Sequence, residues 1–126
     1  MKAIMKGTIA DYVPAFNGDI DESGALVLHE SGKVPFTIDT GFSGGIAVPS
    51  DLLGRMDVKL IDFDVFRLAT GISIELPIFW GMVRIGDRSF WTWMIPGDSL
   101  VGMELLTLAG SELRLDIIGA RVVLLS

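Results

Sequence analysis

The chain has no cysteine at all and a single histidine among its 126 residues. Without cysteine, disulfide scaffolds, thiolate zinc sites and cysteine nucleophiles are excluded. With His29 alone, a multi-histidine metal site is excluded, and His29 is read as decorating a strand near a turn rather than serving a catalytic triad. Basic residues are few: 10 against 16 acids, a formal charge of −6. That balance speaks against a nucleic-acid partner, which needs a basic face, and against docking on an anionic membrane surface. No apolar run approaches the roughly 18 residues needed to span a bilayer. The N-terminus Met-Lys-Ala-Ile-Met-Lys-Gly lacks the apolar centre of a signal peptide, so a cytoplasmic location is the expectation. No Gly-rich phosphate loop of recognised spacing, internal repeat or low-complexity linker is visible.

What the chain has instead is glycine, 15 residues spread along its length, with half of all positions apolar. This length and apolar content suit one domain, taken here as residues 1–126, with a core that needs no staples. Short segments rich in Val, Ile, Phe, Trp and Thr between the glycines read as an all-β barrel or sandwich. Strands are expected at Ala3–Ala10, Ala25–His29, Lys33–Ile38, Gly45–Val48, Val58–Leu68, Val83–Ile85, Ser89–Ile95, Glu112–Ile117 and Arg121–Leu125. Ile72, Ile74, Leu76 and Ile78 keep a two-residue period after a turn at Thr70-Gly71. Turns are expected at Asn17-Gly18-Asp19, at Gly86-Asp87, and at Glu30-Ser31-Gly32, which reads as a hairpin. Two short helices are expected, one from Ser50, acting as its cap, to Leu53, and one over Met103–Ala109 with Met103, Leu105 and Leu106 on one face and Gly110 as its stop.

Chemistry concentrates in Phe36-Thr37-Ile38-Asp39-Thr40-Gly41-Phe42-Ser43-Gly44-Gly45. An apolar strand delivers one acid, then a hydroxyl, then glycines. An acid there must be solvated or hydrogen-bonded, and glycine lets backbone amides turn toward it and stabilise the anion. Alone, Asp-Thr-Gly is also an ordinary β-turn. Some sixty residues on, Ser99-Leu100-Val101-Gly102-Met103-Glu104-Leu105-Leu106 joins two apolar strand residues, a glycine and an apolar helix into one unit.

With these two segments, in this order and at this spacing, the chain resembles the retropepsin-like (clan AA) aspartic proteases, specifically the microbial single-domain branch in which Asp-Thr-Gly-Phe is followed by a small residue, glycine and an apolar strand. The resemblance covers roughly residues 24 to 125; Leu68-Ala69-Thr70-Gly71 looks like the family's flap. It implies a retropepsin-like closed β-barrel with a flap hairpin and one short C-terminal helix. It implies an aspartic endopeptidase without cofactor or metal, acting on a peptide or protein substrate. Asp39 would be catalytic. Thr40, Gly41 and Ser43 would support its loop, with Leu100, Val101 and Gly102 packed closely behind. Thr70 and Gly71 would form the flap.

The chemistry needs two carboxylates sharing a proton, and the chain offers one such motif; a homodimer in which Asp39 meets Asp39 of a second copy is the simplest answer. Thr40 would then bond across the axis. The apolar strand Val122-Val123-Leu124-Leu125 would be an open edge covered by the dimer. An in-chain pairing of Asp39 with Asp98 is the rival. Phe42 departs from the hydroxyl residue of two-domain aspartic peptidases and is read either as packing or as weakening Asp39's support. That leaves a second function open: a non-catalytic dimeric binding or scaffold module of the same fold. Asp62 and Asp64 are read as a solvated strand face, with metal binding as the alternative. Trp80, Trp91 and Trp93 are read as core or interface bulk, with a substrate-pocket role as the alternative.

Overall fold

The computed structural model describes residues 2–126. Eleven strands and two short helices follow one another as β1 (Ala3–Ala10), β2 (Val13–Ile20), β3 (Leu26–Leu28), β4 (Val34–Ile38), β5 (Ile46–Val48), α1 (Ser50–Leu53), β6 (Lys59–Arg67), β7 (Ser73–Ile85), β8 (Arg88–Pro96), β9 (Leu100–Val101), α2 (Met103–Ala109), β10 (Glu112–Asp116) and β11 (Arg121–Leu125). The fold is mostly β, and seven strands close on themselves in the order β2-β3-β7-β8-β5-β9-β4, with β4 returning to β2. Closure gives each of these strands a neighbour on both sides over part of its length. Two extensions leave the barrel: β1, β11 and β10 continue outward from β2, and β6 pairs with the far half of β7 as a projecting hairpin. Among the described residues no helix is long and apolar enough to cross a membrane.

Alternation explains the core. Phe16, Leu26, Leu28, Phe36, Ile46, Val83, Met94, Val101, Leu105 and Leu124 point inward and are fully or almost fully buried. Each such side chain contributes about 1.5–3 kcal/mol by leaving water.

Several expectations need correction. Asn17-Gly18-Asp19 is not a turn but the interior of β2, whose true turn with β1 lies at Asp11 and Tyr12, both at positive φ. Nor do β3 and β4 form a hairpin. Both pair with β2, antiparallel, on its two opposite sides. The chain from His29 to Lys33 therefore crosses over β2, so closely that a side chain on Gly32 would meet the Gly18 amide at 2.4 Å. Asp19 fastens this crossing: its carboxylate takes His29 Nε2 at 2.8 Å and the Lys33 amide at 3.2 Å. Partial burial pushes the Asp19 carboxyl up, but these bonds outweigh it and hold it below its ordinary value. Ser31 Oγ stands 3.3 Å from the other ring nitrogen of His29. With Asp19 on Nε2 and so long a contact on Nδ1, the three residues act as a loop clamp.

Ser50 is the first helical residue, not the cap; Pro49, with φ −53°, precedes the helix and no side chain caps it. On α2 the buried side chains are Leu105, Leu106 and Ala109, while Met103 is exposed. Ser73–Ile85 is one unbroken strand. Trp91 and Trp93 are half-exposed on the outer face of β8, opposite Met82 and Trp80, and so lie outside the core. The C-terminal strand is not an open edge: β11 lies between β1 and β10 within the same chain.

Candidate active site

The site is built at the end of β4. Pro35, Phe36, Thr37 and Ile38 alternate outward and inward, with Phe36 and Ile38 buried, and the strand then releases Asp39 at the barrel's rim, partly exposed. Parallel pairing of Thr37 with Leu100 and of Ile38 with Val101 brings the second motif alongside the first. The ladder continues as the Asp39 amide donates to the Val101 carbonyl at 2.9 Å.

Beyond Asp39 the chain turns back: the Phe42 amide donates to the Asp39 carbonyl at 3.1 Å. The Gly41 amide donates to Asp39 Oδ1 at 2.9 Å, fixing the carboxylate's orientation. The same loop is tied to the start of α2. The Gly102 amide donates to the Gly45 carbonyl at 2.9 Å, Met103 to Phe42 at 2.8 Å and Glu104 to Gly44 at 3.2 Å. Gly102 is necessary to this contact, because a Cβ there would stand 2.1 Å from the Gly44 carbonyl oxygen and 2.8 Å from the Phe42 ring. Asp39, Gly41 and Phe42 thus join Leu100, Val101 and Gly102 in one backbone-wired unit.

Phe42 is half-buried, its ring folded over Gly44 and Gly102, where a Cβ on either glycine would meet it within 2.8 Å. It packs and offers no hydrogen bond to the acid. Thr40 and Ser43 are exposed, and among the described residues neither hydroxyl has a hydrogen-bond partner. Thr40 lines an apolar recess of about 190 Å³ together with Met103, Leu106, Thr107 and Leu113.

Asp98 is not Asp39's partner. It lies in the bend that precedes β9, whereas Asp39 follows the other end of the β4–β9 pair, so the two acids leave opposite ends of that ladder.

Thr70 and Gly71 stand at the tip of the β6–β7 hairpin. The tip is closed by Leu68 donating to Ile72 at 2.8 Å and receiving the Gly71 amide at 2.9 Å on its carbonyl. Gly71 has φ +87°, a conformation glycine adopts without strain. The hairpin is apolar yet open: Ile61, Phe63, Val65, Leu68 and Ile72 are all exposed. Asp62 and Asp64 each turn back to accept the amide of the following residue, at 2.7 and 2.8 Å. No cluster of three or more metal-ligating side chains occurs among the described residues.

One pair escaped the sequence reading. Thr92 is the one fully buried polar side chain among the described residues, close beneath Gly45, and its hydroxyl donates to Glu104 Oε1 at 3.2 Å. This ties β8 to the first turn of α2, behind the acid's loop. The signal available was a threonine between two tryptophans on a strand whose inward positions are otherwise apolar.

No family model, curated protein or solved structure matches the chain.

Proposed function

We propose that this chain is one subunit of a retropepsin-like aspartic endopeptidase, in which Asp39 and Asp39 of a second copy activate water to hydrolyse a peptide bond. The observation that carries this reading is the Asp39 loop. A carboxylate stands at the end of a buried strand, is oriented by the Gly41 amide, and its loop is bonded along its backbone to β9 and the start of α2. Such a mount suits an acid whose position matters more than its burial.

Two carboxylates held a few ångströms apart repel strongly enough that the pair keeps one proton. The ionised member takes a proton from water as its oxygen attacks the scissile carbonyl. The protonated member donates to the carbonyl oxygen. Collapse of the resulting gem-diol breaks the C–N bond as a proton passes to the departing amine. The pair titrates as a unit. The projecting apolar hairpin with Thr70 and Gly71 at its tip supplies a movable cover of the kind that excludes water during such a reaction.

Asp39→Asn is isosteric and is expected to abolish cleavage of a peptide library while leaving fold and oligomeric state unchanged. Equal cleavage by both proteins rejects the reading. Activity should favour mildly acidic pH, since one carboxyl must stay protonated; a rate rising steadily to pH 9 speaks against the shared proton.

One observation favours a second reading, a dimeric binding or scaffold module without catalysis. Among the described residues the Asp39 carboxylate receives a single hydrogen bond, and the Phe42 side chain supplies none where a hydroxyl would give another. Tight binding of a partner by wild type that is silent against peptides at every pH would select this alternative.

A further inference from the structure

On β7 and β8 the side chains alternate between the barrel interior and its outer wall. Gly81, Val83, Thr92 and Met94 face inward and are buried. The intervening outward positions hold all three tryptophans of the chain. Outward positions of a one-sided antiparallel sheet are ordinarily polar, yet Trp91 and Trp93 stand there 51% and 47% exposed. Trp80 lies directly opposite Trp93 on one side and Lys59 of β6 on the other. Cross-strand packing accounts for the Trp80–Trp93 pair. It does not account for Trp91, which lies opposite Met82 and, with Trp80, walls a cavity of about 350 Å³ completed by Asp57, Val58 and Lys59.

We infer that this cavity binds a neutral sugar ring, the hexose unit of an oligo- or polysaccharide, on the outer wall of the barrel. Size is the first ground. The cavity lies at the small end of the roughly 300–1,000 Å³ typical of ligand sites, and it has their make-up, apolar and aromatic walls with a few polar groups. One ring fits it; a folded segment does not.

The walls are the second ground. An indole presents a negative face. The C–H bonds on one face of a pyranose carry partial positive charge and lie flat against such a surface.

Charge is the third. Asp57 and Lys59 are both exposed, and among the described residues neither belongs to an ion pair. An anionic ligand would meet Asp57 and a cationic one Lys59. A hydroxyl can donate to the carboxylate and accept from the ammonium, so a neutral polyol uses both groups and is repelled by neither. A nucleobase would also stack on the tryptophans, but it brings phosphates to a chain of net charge −6.

In the barrel order β5 and β9 separate β8 from β4, the strand that carries Asp39. The sugar site is therefore distinct from the candidate active site and does not rest on the catalytic reading.

Isothermal titration calorimetry of the full chain tests this with cellohexaose, maltohexaose and mannohexaose, neutral hexose oligomers that differ in linkage. At least one is expected to bind at millimolar concentration or below. Trp91→Ala removes one wall and should weaken that binding at least about tenfold. Asp57→Ala should weaken it as well. Trp93→Ala is the control: it is about as exposed and on the same face but outside the cavity, and should change affinity by less than about twofold. Circular dichroism should show every variant folded, because these side chains are exposed or half-exposed. Peptide cleavage by Trp91→Ala should match wild type, and Asp39→Asn should bind the sugar unchanged, so either reading can fail alone. The inference is overturned if none of the three oligomers binds, or if Trp91→Ala and Trp93→Ala weaken binding equally. Tighter binding of adenosine, of a cationic chitosan oligomer or of anionic polygalacturonate than of every neutral oligomer overturns it too.

Discussion

Gly102→Ala isolates the contact on which the acid's loop depends. Gly102 has φ −96° and ψ 172°, extended backbone open to any residue, so alanine meets no torsional strain there. By its effect on the unfolded chain alone, the change would stabilise by about 0.4–1 kcal/mol. The new Cβ, however, would lie 2.1 Å from the Gly44 carbonyl oxygen and 2.9 Å from its carbonyl carbon. These are backbone atoms, and no rotamer change relieves them. The loop must back away from α2, lengthening the bonds from Gly102 to Gly45, Met103 to Phe42 and Glu104 to Gly44. Overpacking of this kind costs about 1–3 kcal/mol. For a chain this long, that outweighs the entropic gain and lowers Tm by roughly 3–10 °C.

Differential scanning calorimetry measures the shift. Gly97→Ala is the control, because its Cβ would find nothing nearer than 3.9 Å and should change Tm little. Peptide cleavage, assayed well below the lowered Tm, should fall at least about tenfold, since displacement of a positioned group by about 1 Å costs up to roughly a hundredfold. A Gly102→Ala protein as stable and as active as wild type would refute the close approach and, with it, the mount described for Asp39.

Phe36→Ala should cost about 3–5 kcal/mol, because the ring is fully buried on the strand that leads to the acid; chemical denaturation checks this, and a loss below about 1 kcal/mol would contradict its burial. Stability should be flat from pH 7 to about 5 and decline as the pH falls through about 4 and below. Asp116, held low by the Gly119 amide and Arg121, Asp21, held low chiefly by Ser23, and Asp19, held low against partial burial by His29 and the Lys33 amide, all lie below their ordinary value. A depressed carboxyl binds fewer protons folded than unfolded, so its contribution is present above the unfolded value and is lost as acid titrates the folded one. Thermal melts across pH 2–7 measure this, and a Tm that rose on acidification below pH 4 would reverse the sign.

Much of the strand pattern was legible because it rests on local rules: alternation marked β6 and the first half of β7, short apolar segments marked β1, β4 and β11, and glycine marked the turn at Gly71. So was the candidate acid, since an apolar strand ending in Asp-Thr-Gly is a local anomaly. What the residues could not announce was pairing. Asn17-Gly18-Asp19 has turn composition, yet β2 is held extended there by strands on both sides, and tertiary hydrogen bonds outweigh local preference. Val122–Leu125 looks like a strand in need of cover, and only the fold supplies β1 and β10 to flank it, leaving β10 as the edge. The sequence by itself determined that this is a cysteine-free, glycine-punctuated β chain with one exposed-acid motif. Tertiary structure alone decided how closely Gly102 approaches Gly44 and Phe42, that Asp98 leaves the opposite end of the β4–β9 ladder from Asp39, and that β11 lies between two strands, because close approach and strand order depend on contacts between residues some sixty positions apart.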